Sequence, residues 1–346
     1  MGRAPNKRNA SEGAIRLDNN YFREGCVYSD RTFRRRFRMR KPLFYKLEQA
    51  LLEYNPKYWE QGYDATNKPG HSTKQKMTAA LHMLCYGKSA DSLDAELAMS
   101  ETAILDALRH FTHDIVHIFR EEYMRRPNTT DLKRLLQKAE ERGFPGMLGS
   151  LDCMHWVWEA CPSGWAGQYS GHEKKPTLIL EAVAGYGTIS SVNGNTYNMG
   201  YYLGDGIYPE WATIVKGLNL PRGDKQKFFT QKVAQYRKDV ECAFGILQKK
   251  FAIVKGPSRN WNEEEMKFIM ETCVILHNMT IEEERGHEDT LDYDYHTAST
   301  VINLPTLDPT VHSVMEQRRW IQDKPAHHQL RNDLMDHLYA KFVRRV

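Results

Sequence analysis

A chain of 346 residues, 41% hydrophobic and with a formal net charge of +4, carries enough apolar material for two cores and is not a disordered polymer. Its six cysteines form no Cys-x-x-Cys pair, no signal-peptide apolar segment opens it, and no stretch reaches the roughly 20 apolar residues of a bilayer span. A disulfide scaffold and a membrane-spanning protein are thereby excluded, and a soluble intracellular chain with reduced thiols is expected.

The charge is uneven. Residues 1–80 hold 17 Lys and Arg against 8 Asp and Glu, whereas residues 257–346 hold 10 against 16. Residues 1–29 are polar and weakly patterned and are expected to form a flexible arm. A basic segment, "DRTFRRRFRMRKPLF", follows, with seven basic residues between Arg31 and Lys41 and with Phe33, Phe37, Met39 and Phe44 interleaved. Two readings are open for Arg34, Arg35, Arg36, Arg38, Arg40 and Lys41. One is a solvated face on a helix docked through its aromatics; the other is DNA-phosphate contact or nuclear targeting.

From Ser72 the pattern is helical, with Gly87 as a stop. Leu93, Leu97, a capping Ser100 and the run Ile104, Leu105, Leu108 have the spacing of a helix-turn-helix. Its second helix, however, carries Glu101 and Asp106 and only Arg109 as a base, which favours ordinary helical packing. Residues 30–142 are therefore expected to be an all-helical domain.

The pattern changes at Gly143. "GSLDCMHWVW", "PTLILEAVA" and "YNMGYYLGDGIYP" read as strands, and the run from Lys227 to Val254 as a long helix, which together imply a mixed α/β (α+β) domain over residues 143–280. An acidic linker and a closing helix, "KPAHHQLRNDLMDHLYAKF", fill residues 281–346. Alternation in the first strand puts Asp152 on one face with Met154, Trp156 and Trp158. A lone charge in that company costs several kcal/mol unless it has a partner.

Two further carboxylates stand out. Asp205 is flanked by Gly204 and Gly206, which let the backbone turn and a ligand approach. Glu241 sits at the edge of the stripe formed by Val233, Val240, Phe244, Leu247 and Phe251, with Arg237 and Lys238 one turn before it, where a phosphate could be met. Two strand-end aspartates and a helical glutamate can hold hard cations through oxygen and so serve two-metal phosphoryl chemistry. The competing readings are a structural ion pair for Asp152 and a surface position for Glu241. A zinc module built from Cys153, His155, Cys161 and His172 is disfavoured by irregular spacing. Trp156, Trp158 and Trp165 serve either core packing or base stacking.

The stretches "GSLDCMHWVWEACPSGWAGQYSG", "VNGNTYNMGYYLGDGIYPEWATIVKG" and "YRKDVECAFGILQKKFAIVKGPSR" together resemble the transposases of the PIF/Harbinger superfamily and the nuclease-like host proteins derived from them, especially plant forms. The resemblance implies a ribonuclease H-like core and a DDE triad, with Asp152, Asp205 and Glu241 at the matching positions; 35 residues lie between the last two. It also implies Mg²⁺ or Mn²⁺ as two divalent ions, DNA as substrate, a separate Myb-like DNA-binding partner, and residence in the nucleus, with the cytoplasm as a second compartment; a homo-oligomer is compatible with it. Two departures stand against it. A strand and its "GS..ND" stretch are missing, so that only Gly185 to Thr196 link the flanking strands, and Cys242 stands where relatives carry Arg. The core is thus expected to be shortened by loss of an edge strand. Two functions follow: a metal-dependent DNA endonuclease or transposase, or a domesticated, catalytically impaired relative acting as a DNA- or chromatin-associated interaction protein.

Overall fold

The computed structural model describes residues 8–125, 128–170, 175–181, 190–197, 200–284 and 323–343. It is a mixed α and β structure, as expected, and divides into two compact units. Unit 1 gathers residues 1–124, 155–178 and 245–291; unit 2 gathers 125–154, 179–244 and 292–346. The partition differs from the one expected, because 155–178 and 245–291 cluster with the N-terminal helices. Most of the acidic linker, His172 and residues 182–189 of the shortened link lie outside the described residues.

Unit 1 is helical. It contains α1 (Ala10–Leu17), α2 (Asp30–Phe37), α3 (Lys41–Tyr54), α4 (Pro56–Trp59), α5 (Thr73–Tyr86), α6 (Asp94–Leu97), α7 (Glu101–Tyr123), α9 (Ala166–Tyr169) and α11 (Glu263–Glu284). The expected arm is in fact α1 followed by a π-helical turn over Asp18–Phe22. Asn9 caps α1, and a Cβ on the buried Gly13 would lie 2.4 Å from the carbonyl oxygen of Leu97, so a glycine is what lets this helix dock. Ser72 closes α5 with a capping box to Gln75, and Gly87 ends it in the left-handed region at φ 61°. Ser100 caps α7 as expected, but the helix before it, α6, is a single turn. A helix-turn-helix with two full helices is therefore not formed, and Ile104, Ala107, Leu108 and Phe111 of α7 are core residues.

In unit 2, β1 (Met147–Ser150), β6 (Tyr201–Leu203) and β7 (Ile214–Val215) form a parallel sheet in the order β1-β6-β7. One face, with Met147, Tyr201, Leu203 and Val215, packs on Phe229 and Val233 of α10 (Gly223–Lys250) and on Leu330, Leu334, Met335 and Leu338 of α12 (Lys324–Phe342). The other face, with Leu148, Leu151, Tyr202 and Ile214, meets Leu132 and Leu136 of α8 (Thr129–Glu141). Both faces of a parallel sheet are thus covered, as its apolar alternation demands. The closing helix α12 is part of this core: His327 Nδ1 lies 2.8 Å from the Ile214 carbonyl oxygen on β7.

The stretch read as one strand is two, β1 and β2 (Cys153–Val157), broken at Leu151 and Asp152. Met154, Trp156 and Trp158 are each buried, and Asp152 sits in the break between the two strands. β2 pairs with β3 (Thr177–Glu181), and the boundary between the units runs through both strands and through α10. Part of the shortened link is a hairpin, β4 (Ser190–Val192) and β5 (Asn195–Tyr197), turned by Asn193 and Gly194 at φ 51° and 84°. The amide of Asn195 donates to the carboxylate of Asp333 on α12 at 2.8 Å, and Tyr197 donates to the same carboxylate.

Candidate functional site

The parallel register decides where the first two carboxylates go. Ser150 of β1 is level with Leu203 of β6, and the Leu151 N–H donates to the Leu203 carbonyl at 2.7 Å. Asp152 and Asp205 each follow that level pair by two residues, so both leave the same end of neighbouring strands, which run about 4.8 Å apart. Gly204 is required by close approach: a Cβ there would lie 2.8 Å from Ile214 Cγ2. After it the chain turns, and Asp205 Oδ1 accepts the Ile207 N–H at 2.7 Å.

The third carboxylate comes from α10, whose rotation is pinned from two sides. The Ser150 hydroxyl donates to the Tyr236 carbonyl at 3.2 Å, and Arg142 Nη1 donates to Asp239 Oδ2 at 2.6 Å while its guanidinium lies 5.0 Å from the Tyr236 ring centre. Val233, Val240 and Phe244 then face the core, and Arg237 and Glu241, one turn apart, face the strand ends. Arg237 Nη2 lies 3.6 Å from Asp205 Oδ2 and 3.6 Å from Glu241 Oε1. Ser150, Arg142 and Asp239 were not singled out from the sequence; none belongs to a periodic or charge pattern, and only their positions next to Asp152 and Glu241 could have pointed to them.

Among these carboxylates, the titration of Asp152 is displaced by its surroundings. Burial raises the Asp152 carboxyl above its usual range, and the charges of Glu241 and Asp205 add to it; the Cys153 N–H and Arg237 pull it back. Glu241 remains half-exposed and Asp205 about one-third exposed, so solvent reaches both. One guanidinium lies against two of the three carboxylates, Asp205 and Glu241. Among the described residues, no three His, Cys, Asp or Glu side chains stand close enough together to hold a metal ion. The zinc alternative gains nothing either: Cys153 Sγ lies 3.0 Å from the Tyr208 hydroxyl, Cys161 bonds the Pro162 carbonyl, and His155 is exposed. Trp156 and Trp158 are buried and Trp165 is about half-exposed, so of the three only Trp165 offers a ring to a base.

The basic segment of unit 1 is mostly engaged within the fold. Arg34 pairs with Glu284 at 2.7 Å, Arg36 stacks over Tyr28 at 4.1 Å and donates to Tyr21, Arg38 lies 5.6 Å from the Tyr86 ring centre, and Lys41 pairs with Asp30 at 2.8 Å. Arg40 caps α3 by its backbone and is half-buried, while Arg35 points to solvent. Phe33, Phe37, Met39 and Phe44 are buried, as the docked-helix reading expects. In unit 2, Lys238 is exposed, while Arg237, assigned from the sequence to phosphate, is turned to Asp205 and Glu241.

Two segments, residues 121–190 and 187–288, match a family model described as plant transposon protein. All three carboxylates and Arg237 fall inside these segments, over which the chain is similar to that transposon-protein family. A second model, described as a domain of unknown function, matches residues 13–51, which hold the second half of α1, α2, the basic segment and most of α3. No curated protein and no solved structure matches the chain.

Proposed function

We propose that the chain is a divalent-metal-dependent DNA endonuclease of Harbinger transposase type, with Asp152, Asp205 and Glu241 as its DDE triad on a ribonuclease H-like core in unit 2. The observation that supports this reading is that Asp152 and Asp205, far apart in sequence, leave the same end of neighbouring strands while Arg237 lies 3.6 Å from both Asp205 and Glu241 on α10. The residues suit Mg²⁺ or Mn²⁺ in donor type, three carboxylates offering hard oxygen, while in the metal-free chain they stand too far apart to share an ion and Arg237 lies between Asp205 and Glu241. A bound pair of divalent ions would supply a nucleophile at neutral pH and charge stabilisation at the leaving oxygen.

The chain's own residues contribute orientation. Gly204 and the turn after it hold Asp205 by its backbone, the Ser150 bond holds the β1 end to α10, and the Arg142 pair fixes the helix rotation that aims Glu241. Asp152, half-buried at a strand break, is the least solvated of the three and gains most from a cation. DNA is the substrate class, with Lys238 and Arg35 exposed for phosphate. A Myb-like DNA-binding partner and a nuclear setting belong to the same reading, and the single-turn α6 is consistent with base recognition residing elsewhere.

A second reading is favoured by the Arg237 pairing and by Cys242 beside Glu241: a catalytically impaired relative that keeps the fold as a DNA- or chromatin-associated interaction protein. Incubation of purified protein with Mn²⁺ and supercoiled plasmid separates the two. Nicking by the wild type that Asp205→Ala abolishes supports the nuclease; equal cleavage by both, or none by either, refutes it.

A further inference from the structure

Arg237 carries a consequence for the same site, and it rests on the metal-dependent reading above. We propose that its guanidinium is the internal counter-ion of the carboxylate site, a positioning residue that holds Asp205 and Glu241 in the metal-free chain and that a divalent cation must displace. An ordinary surface pair on a helix joins residues one turn apart and leaves both in solvent. Arg237 instead reaches a second element, with its side chain only 18% exposed and Nη2 equidistant from the two carboxylates.

The hold is electrostatic and exchangeable. A separation of 3.6 Å is beyond hydrogen-bond range, and Nε is buried with no hydrogen-bond partner. Its Nε thus gives up solvation without gaining a directional bond, an arrangement a cation with a full set of oxygen ligands can outcompete. The helix does not swing to release it, because Ser150 and Arg142 fix α10 on either side of that turn. Release is therefore a rotation of the Arg237 side chain, which then becomes available to an incoming phosphate. Lys238, next in sequence, is exposed and does not take over the role.

Mn²⁺ binding to the full chain, followed by the electron paramagnetic resonance signal of free Mn²⁺, tests this in the wild type, Arg237→Gln, Arg237→Lys and Asp205→Ala. Arg237→Gln is expected to bind Mn²⁺ about tenfold more tightly than the wild type, since one competing charge is gone. Without metal it should melt at a lower temperature and recover more than the wild type when Mn²⁺ is added. Arg237→Lys should fall between the two, and it carries the comparison if the Gln variant does not fold. Binding that is equal or weaker in the Arg237 variants overturns the competition while leaving the metal site standing. No binding in any variant, Asp205→Ala included, refutes the metal reading and the competition with it.

Discussion

The two units treat ionisable groups in opposite ways. In unit 1 they are closed off by short contacts: Arg34 to Glu284 at 2.7 Å, and the Trp59 indole and Asn55 amide to the buried Asp114 at 2.7 and 3.2 Å. In unit 2 two aspartates leave the strand ends side by side, and one guanidinium lies 3.6 Å from Asp205 and 3.6 Å from Glu241. Closed contacts specify a packing; an under-compensated cluster open to solvent stores repulsion that a ligand relieves. The same chain thus spends most of its basic segment on structure and leaves its carboxylates unspent.

The largest effect that could break this contrast is on cleavage. Glu241→Gln is expected to reduce Mn²⁺-dependent plasmid nicking by at least about 100-fold while thermal melting stays near the wild-type value. If nicking persists, the carboxylates of unit 2 are structural like those of unit 1.

Next comes a buried cation of unit 1. Lys250 is fully buried, and burial lowers its pKa to about 8 against the pull of Glu284. A lysine whose folded pKa is depressed weakens the fold as pH falls from its unfolded value of 10.5 towards 8, and the loss is complete below that. Lys250→Met should therefore stabilise the protein at pH 7 by up to about 3 kcal/mol, with the gain fading as pH rises from 8 to 10.5. Denaturant melts across that range check it.

A smaller cost, about 2 kcal/mol, is expected for Asp114→Ala, which leaves the buried indole N–H of Trp59 without its acceptor. Chemical denaturation reads it directly. The smallest effect sharpens the division inside the basic segment. Arg35→Gln should lower the salt dependence of duplex DNA binding by roughly one unit of slope, measured by fluorescence anisotropy, with no change in melting temperature. Arg36→Gln, which loses its bond to Tyr21 and its stack on Tyr28, should show the reverse pattern.

The legible parts of the fold are those with local causes. The capping box at Ser72, the end of α5 at Gly87 and the stripe of α10 follow from neighbours one turn away. Asp205 between two glycines was legible for the same reason. The break at Asp152 was not, because apolar residues continue across it, Leu151 being 4% and Met154 6% exposed, so alternation alone predicts one strand. Helix α1 was hidden by a polar composition; its stability comes from docking at Gly13 and from Arg16, which donates to the carbonyls of Ala95 and Glu96. The cations of "RTFRRRFRMRK" could be counted from the sequence, but Arg34 and Arg38 meet Glu284 and Tyr86 on distant helices of unit 1.

Residue types and their local spacing by themselves determined which side chains are candidates: two aspartates at strand ends, a glutamate on a helix edge, and an arginine one turn before it. Only the tertiary structure decided that Ser150 stands level with Leu203, so that both aspartates leave the sheet side by side, and that Arg237 turns to those acids instead of outward. The physical reason is range. Helix periodicity and capping act over one turn of chain, whereas strand register and ion pairing are settled by groups that meet only when distant segments pack.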